Sequence, residues 1–239
     1  MMRVTYLGHS GFLLEWPGCY WLLDWWTGEL PPLSPDKPLL VFASHRHQDH
    51  FNPAVFQLHH PDIRYILSAD IRVTARSRER WGVPDGADIT SVRRRTTTSL
   101  EVDGQPLRVT ALPSTDIGVA FLLEYQGKTV YHAGDLHWWH WAGEPESWNR
   151  NMAANYKKYL EPLRGKRLDL AFAPLDPRLE DAYDWGLAYL LETVDVGRLF
   201  PMHCWDDYDI ARRFREAHPE LSAPLMDVSG VGQSWDMEI

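Results

Sequence analysis

Cysteine is almost missing from this chain. Cys19 and Cys204 are the only two among 239 residues, too few and too far apart for a disulfide framework, and no CxxC pair offers a thiolate cage. Both read as free thiols in a reducing compartment. No apolar run approaches the roughly 18 residues that a membrane span requires, and Met1 to Tyr6 form no hydrophobic signal region, so a cytoplasmic location without membrane contact is expected. No serine sits in a GxSxG elbow, so covalent acyl-enzyme chemistry is not indicated. Positive charge is also scarce. Lys and Arg number 24 against 33 Asp and Glu, a formal charge of −9. The basic residues gather in one run from Arg72 to Arg95 rather than along a repeated face, so nucleic acid is not an expected partner.

What is present is a chain long enough for a sizeable core, with 44% hydrophobic residues and no short repeat, and it reads as one domain over residues 1–239. Strands are expected at 4–6, 11–15, 21–24, 39–43 and 63–67, with Pro17-Gly18 turning the chain between the second and third. Asn52-Pro53 should cap and open a helix through His60. A β-rich stretch follows from Ile89 to Ala133, including strands at 107–112, 119–124 and 129–132, the last two joined at Gln126-Gly127. Helices near 149–163, 179–194 and 207–217 then alternate with strands near 168–173, 198–202 and 233–239. The predicted class is α/β (α+β), with two sheets face to face and helices outside.

Chemistry concentrates in Ser44-His45-Arg46-His47-Gln48-Asp49-His50, directly after the apolar run Leu39 to Ala43. Three imidazoles and a carboxylate on one loop form a ligand set suited to zinc, iron or manganese. On an extended loop His45 and His47 project to one side and can reach one cation, while Asp49 and His50 turn toward a second. Asp49 is also the candidate catalytic group, placed to orient water or shuttle its proton.

This HxHxDH run resembles the signature of the metallo-β-lactamase superfamily, and other segments follow in the order of that family. Trp21-Leu22-Leu23-Asp24 looks like its first motif, whose aspartate supports the metal loop. Tyr131-His132-Ala133-Gly134-Asp135 looks like the motif whose aspartate bridges two metals, and Phe200-Pro201-Met202-His203 looks like the motif whose histidine completes the second. The opening Tyr6-Leu7-Gly8-His9-Ser10-Gly11-Phe12 is most similar to the branch containing L-ascorbate-6-phosphate lactonase, where His9 either faces the active site or is a buried, hydrogen-bonded histidine. The resemblance implies a four-layer αββα sandwich of two mixed β-sheets, one or two divalent metal ions with zinc first and manganese or iron as alternatives, and hydrolysis of an ester, lactone, amide or phosphoester of a small molecule.

The sequence departs from that pattern at one place. The family supplies a further histidine just before the strand that begins near Gly118, yet no histidine lies between His60 and His132; Pro113-Ser114-Thr115-Asp116-Ile117 stands there instead. Three readings follow: Asp116 ligates in its place, His137 swings in, or a single metal is held by Asp49, His50, Asp135 and His203. Ser114, His137, Trp138, Trp139, His140, Trp141, Arg178 and Trp205 are candidate wall or supporting residues, with the tryptophans after Asp135 pointing to a partly apolar or ring-bearing ligand and Arg178 either to a phosphate or carboxylate or to a place in solvent. Two other functions stay open, an iron-dependent oxidoreductase on the same scaffold and a metal-binding protein with lost or altered catalysis. The sequence carries no signal for an oligomeric state.

Overall fold

In the computed structural model, which describes residues 1–239, the chain begins as an antiparallel meander. Its strands are β1 (Met2–Gly8), β2 (Gly11–Glu15) and β3 (Tyr20–Leu23). Strands β4 (Leu39–Ala43), β5 (Ile63–Ser68) and β6 (Asp88–Val92) then continue the sheet in parallel, with helix α1 (Ala75–Trp81) crossing between the last two. Side chains on these strands alternate between two cores. Tyr6, Phe12, Trp21, Leu40 and Phe42 point into the main core, whereas Leu7, Leu13, Leu22, Val41 and Leu67 point outward beneath Phe51, Val55 and Phe56. Burial on both faces explains why Leu39 to Ala43 is apolar without interruption.

A second meander follows: β7 (Thr96–Val102), β8 (Gln105–Pro113), β9 (Val119–Tyr125) and β10 (Lys128–His132). After α2 (Glu146–Leu160) come β11 (Arg167–Leu168), β12 (Leu170–Pro174), α3 (Trp185–Thr193), β13 (Asp195–Val196), β14 (Leu199–Met202), α4 (Ile210–Ala217) and β15 (Ser234–Met237). The first sheet has the order β15-β1-β2-β3-β4-β5-β6 and the second β14-β12-β10-β9-β8-β7, with β11 and β13 forming a small separate ribbon. Both large sheets mix parallel and antiparallel pairs. Phe121, Leu123 and Phe172 of the second sheet share the main core with Tyr156 of α2, Leu187 of α3 and Phe214 of α4. This is the layered α/β architecture expected from the sequence.

Three expectations need correction. The helix foreseen from Asn52 to His60 is a single 3-10 turn, Pro53–Gln57, capped by Asn52 Oδ1 accepting from the Ala54 amide at 2.9 Å; Pro61 bars helical geometry at His60 and stops it. The segment 179–194 breaks at Glu180, where φ is 53°, into a 3-10 turn and α3. Helix α1 was not foreseen, because Ala75-Arg-Ser-Arg-Glu-Arg-Trp81 buries only Ser77 and so lacks an apolar stripe; a Thr74/Ser77 capping box and a left-handed Gly82 bound it instead.

Candidate metal centre

The residues singled out by motif all lie just past the carboxyl ends of strands: His9 after β1, Asp24 after β3, Ser44 to His50 after β4, Ser114 to Gly118 after β8, Asp135 after β10 and His203 after β14; Asp176, after β12, joins them. Parallel neighbours open a crevice at that edge. Two glycines let the loops close on one another. A Cβ on Gly118, where φ is +70°, would stand 2.1 Å from Ser44 O, and one on Gly134 would stand 2.7 Å from Ser44 Oγ. His9, Asp24 and His203 themselves hold positive φ of 52°, 40° and 64°, backbone strain of the kind that persists where function requires it.

Three groups of ligand atoms result, each with all members within 4.8 Å: His45, His47, Asp116 and Asp135 in the first, His9, Asp49, His50 and His203 in the second, and the fully buried Asp24, His45 and His50 in the third. In the first, His45 Nε2 lies 3.1 Å from His47 Nδ1 and 3.3 Å from Asp135 Oδ2, and His47 Nδ1 lies 3.3 Å from Asp116 Oδ2. In the second, Asp49 Oδ2 stands 3.3, 3.9 and 3.7 Å from Nε2 of His9, His50 and His203. Asp135 straddles these two, its Oδ1 lying 3.1 Å from His50 Nε2 and 3.5 Å from His203 Nε2.

The donor set fits a cation on two counts. Atoms sharing a tetrahedral ion at about 2.0–2.2 Å stand about 3.3–3.6 Å apart, close to the separations found. Also, His9 Nε2, His50 Nε2, His203 Nε2 and Asp135 Oδ1 are buried without a hydrogen-bond partner, a cost that native interiors avoid unless something else satisfies the atoms. The electrostatics agree. Burial opposes charge on His50, yet the carboxylates of Asp135 and Asp24 raise its pKa well above the usual imidazole value. Burial would likewise raise Asp135 and Asp49, but the surrounding histidines hold both carboxyls below their ordinary range. The pocket thus favours positive charge at its centre.

A supporting layer orients these atoms. Asp24, fully buried, accepts from the Ser44 amide (2.7 Å), Ser44 Oγ (2.5 Å) and His50 Nδ1 (2.7 Å), turning His50 Nε2 inward. Ser44 Oγ also lies 3.0 Å from His45 Nδ1. Asp176 does for His203 what Asp24 does for His50, with Nδ1 at 2.8 Å from its Oδ2. Sequence reasoning passed over Asp176, although it repeats the pattern of an aspartate just beyond a strand. Arg94 was missed as well: its Nε and Nη2 donate to the carbonyls of Gly118 (2.8 Å) and Asp116 (3.2 Å), clamping the turn that carries Asp116. Ser114 Oγ accepts from the Asp116 amide inside that turn.

The remaining candidates separate. His137 belongs to none of the groups; it is buried beside Gly186, Trp139 and Tyr156, and burial lowers its pKa to about 4. Trp138 does not line the pocket. Side chains alternate along 138–141: Trp138 and His140 face Trp185, while Trp139 and Trp141 lie parallel within 1° at 6.0 Å on the pocket side. With Trp148 and Met152 they wall a pocket of about 280 Å³ floored by the ligand groups. Arg178 lines it too, bound through Nε (3.0 Å) and Nη2 (2.5 Å) to Asp176, and Trp205 covers both Arg178 at 4.4 Å and His9 at 4.8 Å. No helix is long and apolar enough to cross a membrane.

Comparison with known proteins agrees with this architecture. The family model described as beta-lactamase superfamily domain matches residues 3–140. A UPF0173 metal-dependent hydrolase of Opitutus terrae is 32% identical over 142 residues, 56% of this chain and 63% of that protein. The match therefore spans under two thirds of that relative's length. Among solved structures, a metallo hydrolase from the archaeon Ignicoccus hospitalis aligns over 99% of both chains at 15% identity with a TM-score of 0.60. A diiron β-hydroxylase from Streptomyces venezuelae aligns over 99% of this chain and 54% of its own at 12% identity and 0.61. At such identities these two share the fold.

Proposed function

The chain belongs to the beta-lactamase superfamily, and from that premise we propose that it is a metal-dependent hydrolase that uses an activated water on an ester, lactone, amide or phosphoester bond of a small molecule. One observation carries the reading: His50 Nε2, His203 Nε2 and Asp135 Oδ1, buried and unpaired, converge from three loops. His45, His47, Asp116 and Asp135 would hold one divalent ion and His9, Asp49, His50 and His203 the other, with Asp135 between them. Zinc is the first choice. Ions held there would supply Lewis acidity, lowering the pKa of water toward about 7 and polarising the electrophile's oxygen.

The chain's own groups do the rest. Asp49, a quarter exposed at the pocket floor, is placed to orient the attacking water and take up its proton. Asp24 and Asp176 keep His50 and His203 in the tautomer whose Nε2 lone pair faces inward. The tryptophan wall excludes bulk water from one side.

The test is metal analysis of protein purified without added metal, beside a panel of esters, lactones and phosphoesters. His203→Ala should lower metal content sharply and abolish turnover. Unchanged metal stoichiometry in that variant overturns the site, and a metal-loaded protein inert to the panel points to binding without turnover. A second reading is an iron-dependent oxidation, favoured by two carboxylates in the first ligand group, a set that also suits harder ions; co-purifying iron with oxygen consumption would select it.

A further inference from the structure

The pocket above the ligand groups has a chemical preference of its own. Its far wall is apolar and rigid: Trp139 and Trp141 lie parallel, Trp148 and Met152 flank them one helical turn apart on α2, and the buried Asn149 amide clamps Trp141 through its backbone N (3.0 Å) and O (2.9 Å). A wall ordered before binding is a low-cost platform for a flat ring. At about 280 Å³ the cavity sits at the small end of ligand sites, roughly 300–1,000 Å³, so it suits one ring system and a carbonyl rather than a polymer.

Charge in the pocket is only partly compensated. Arg178 is the one cationic side chain lining the pocket, and it is not free: Asp176, fully buried, matches its charge through a two-pronged bridge, and Trp141 and Trp205 cover its guanidinium at 5.5 and 4.4 Å. The first two ligand groups contain three carboxylates, Asp49, Asp116 and Asp135. Two divalent ions among them leave one net positive charge, where a histidine at position 116 would leave two. Arg178 nonetheless keeps 43% of its side chain exposed beside the pocket.

We propose that the pocket selects a ring-bearing ester or lactone, its ring against Trp139 and Trp141 and its carbonyl over the ligand groups. The substrate class rests on the hydrolase reading, but ligand preference can be measured without turnover. Tryptophan fluorescence and calorimetry on the metal-loaded protein would compare 2-acetonaphthone, which is neutral and cannot be hydrolysed, with 2-naphthoate and with 2-octanone. The ketone with the ring should bind roughly tenfold tighter than 2-octanone, and the ring of 2-naphthoate should depend on the same wall. Trp141→Ala should remove the ring preference with metal content intact, while Trp141→Phe keeps most of it. Asp116→His should shift the preference toward 2-naphthoate. Equal binding of 2-octanone or an indifferent Trp141→Ala would overturn the proposal. Failure of the hydrolase reading is separable: 2-naphthyl acetate would then persist in the presence of metal-loaded protein that still binds the aromatic ketone.

Discussion

Asp24→Asn isolates the supporting layer from the ligands, because the replacement keeps the shape and changes only donors and charge. The carboxylate accepts three hydrogen bonds at full burial, from the Ser44 amide, Ser44 Oγ and His50 Nδ1. An amide retains the first through its oxygen and turns an NH2 toward the other two donors. Hydrogen bonds to a charged group contribute about 1.5–3 kcal/mol each, and Ser44 can rotate to recover part of one, so a loss of about 2–4 kcal/mol is expected in denaturant unfolding of the metal-free protein. The His50 ring must also exchange its proton to Nε2, the atom that faces Asp135, and so surrenders the lone pair a cation needs. Calorimetric titration with zinc or manganese should then show about a 10–100-fold weaker second site. The stability difference has a defined pH dependence. The Asp24 carboxyl is held below its ordinary value: burial opposes this, but the neighbouring His132 and His50 outweigh it. Its contribution is thus present above the unfolded value of about 3.9 and fades as pH falls through the folded one, so the two proteins should converge in acid. Equal metal affinity of Asp24→Asn and the parent at neutral pH would refute the reasoning.

Other outcomes follow from the same geometry. Asp116→Ala should reduce divalent-metal stoichiometry from two toward one while Asp116→His restores it, as read by elemental analysis; identical content in all three proteins would show that residue 116 holds nothing. Arg94→Gln removes two bonds to the turn that carries Asp116, and should cost about 1–3 kcal/mol of stability and weaken the first site selectively, measured by titration of the second site's occupancy beside it. Asp176→Asn should lower affinity at the second site about 10–100-fold through the His203 orientation it controls, with the first site unaffected. Because His50 is held protonated above its usual pKa in the metal-free protein, while a ligating imidazole must be neutral, zinc binding at pH 7 should release protons; calorimetry in buffers of different ionisation enthalpy measures them, and zero release would contradict the assigned environment.

Much of the centre was legible because sequence neighbours carry it. His45, His47, Asp49 and His50 share one loop, and Asp24, Asp135 and His203 each end an apolar strand that can be recognised in isolation. The substitution at Asp116 was readable as an alternative but not as a choice, since the decision depends on how Gly118 packs against Ser44 and on the Arg94 clamp, contacts between residues far apart in the chain. Asp176 and Arg94 were invisible for a related reason: a single Asp after Pro-Leu and one Arg in a basic run acquire meaning only from their partners. Trp138 was placed on the wrong wall because residues 138–141, outside any ladder, give no register to a pattern reader.

That alternation of side chains along 138–141 divides the labour of mutation. Odd-numbered tryptophans meet whatever enters the cleft, while Trp138 and His140 cement the segment to Trp185. Laboratory evolution of new selectivity can therefore randomise 141, 148 and 152, whereas Trp139, buried and donating from Nε1 to the Asp135 carbonyl, also holds the loop that carries that aspartate. A one-residue deletion anywhere between Leu136 and Trp141 would instead exchange the two faces, erasing recognition and anchorage together.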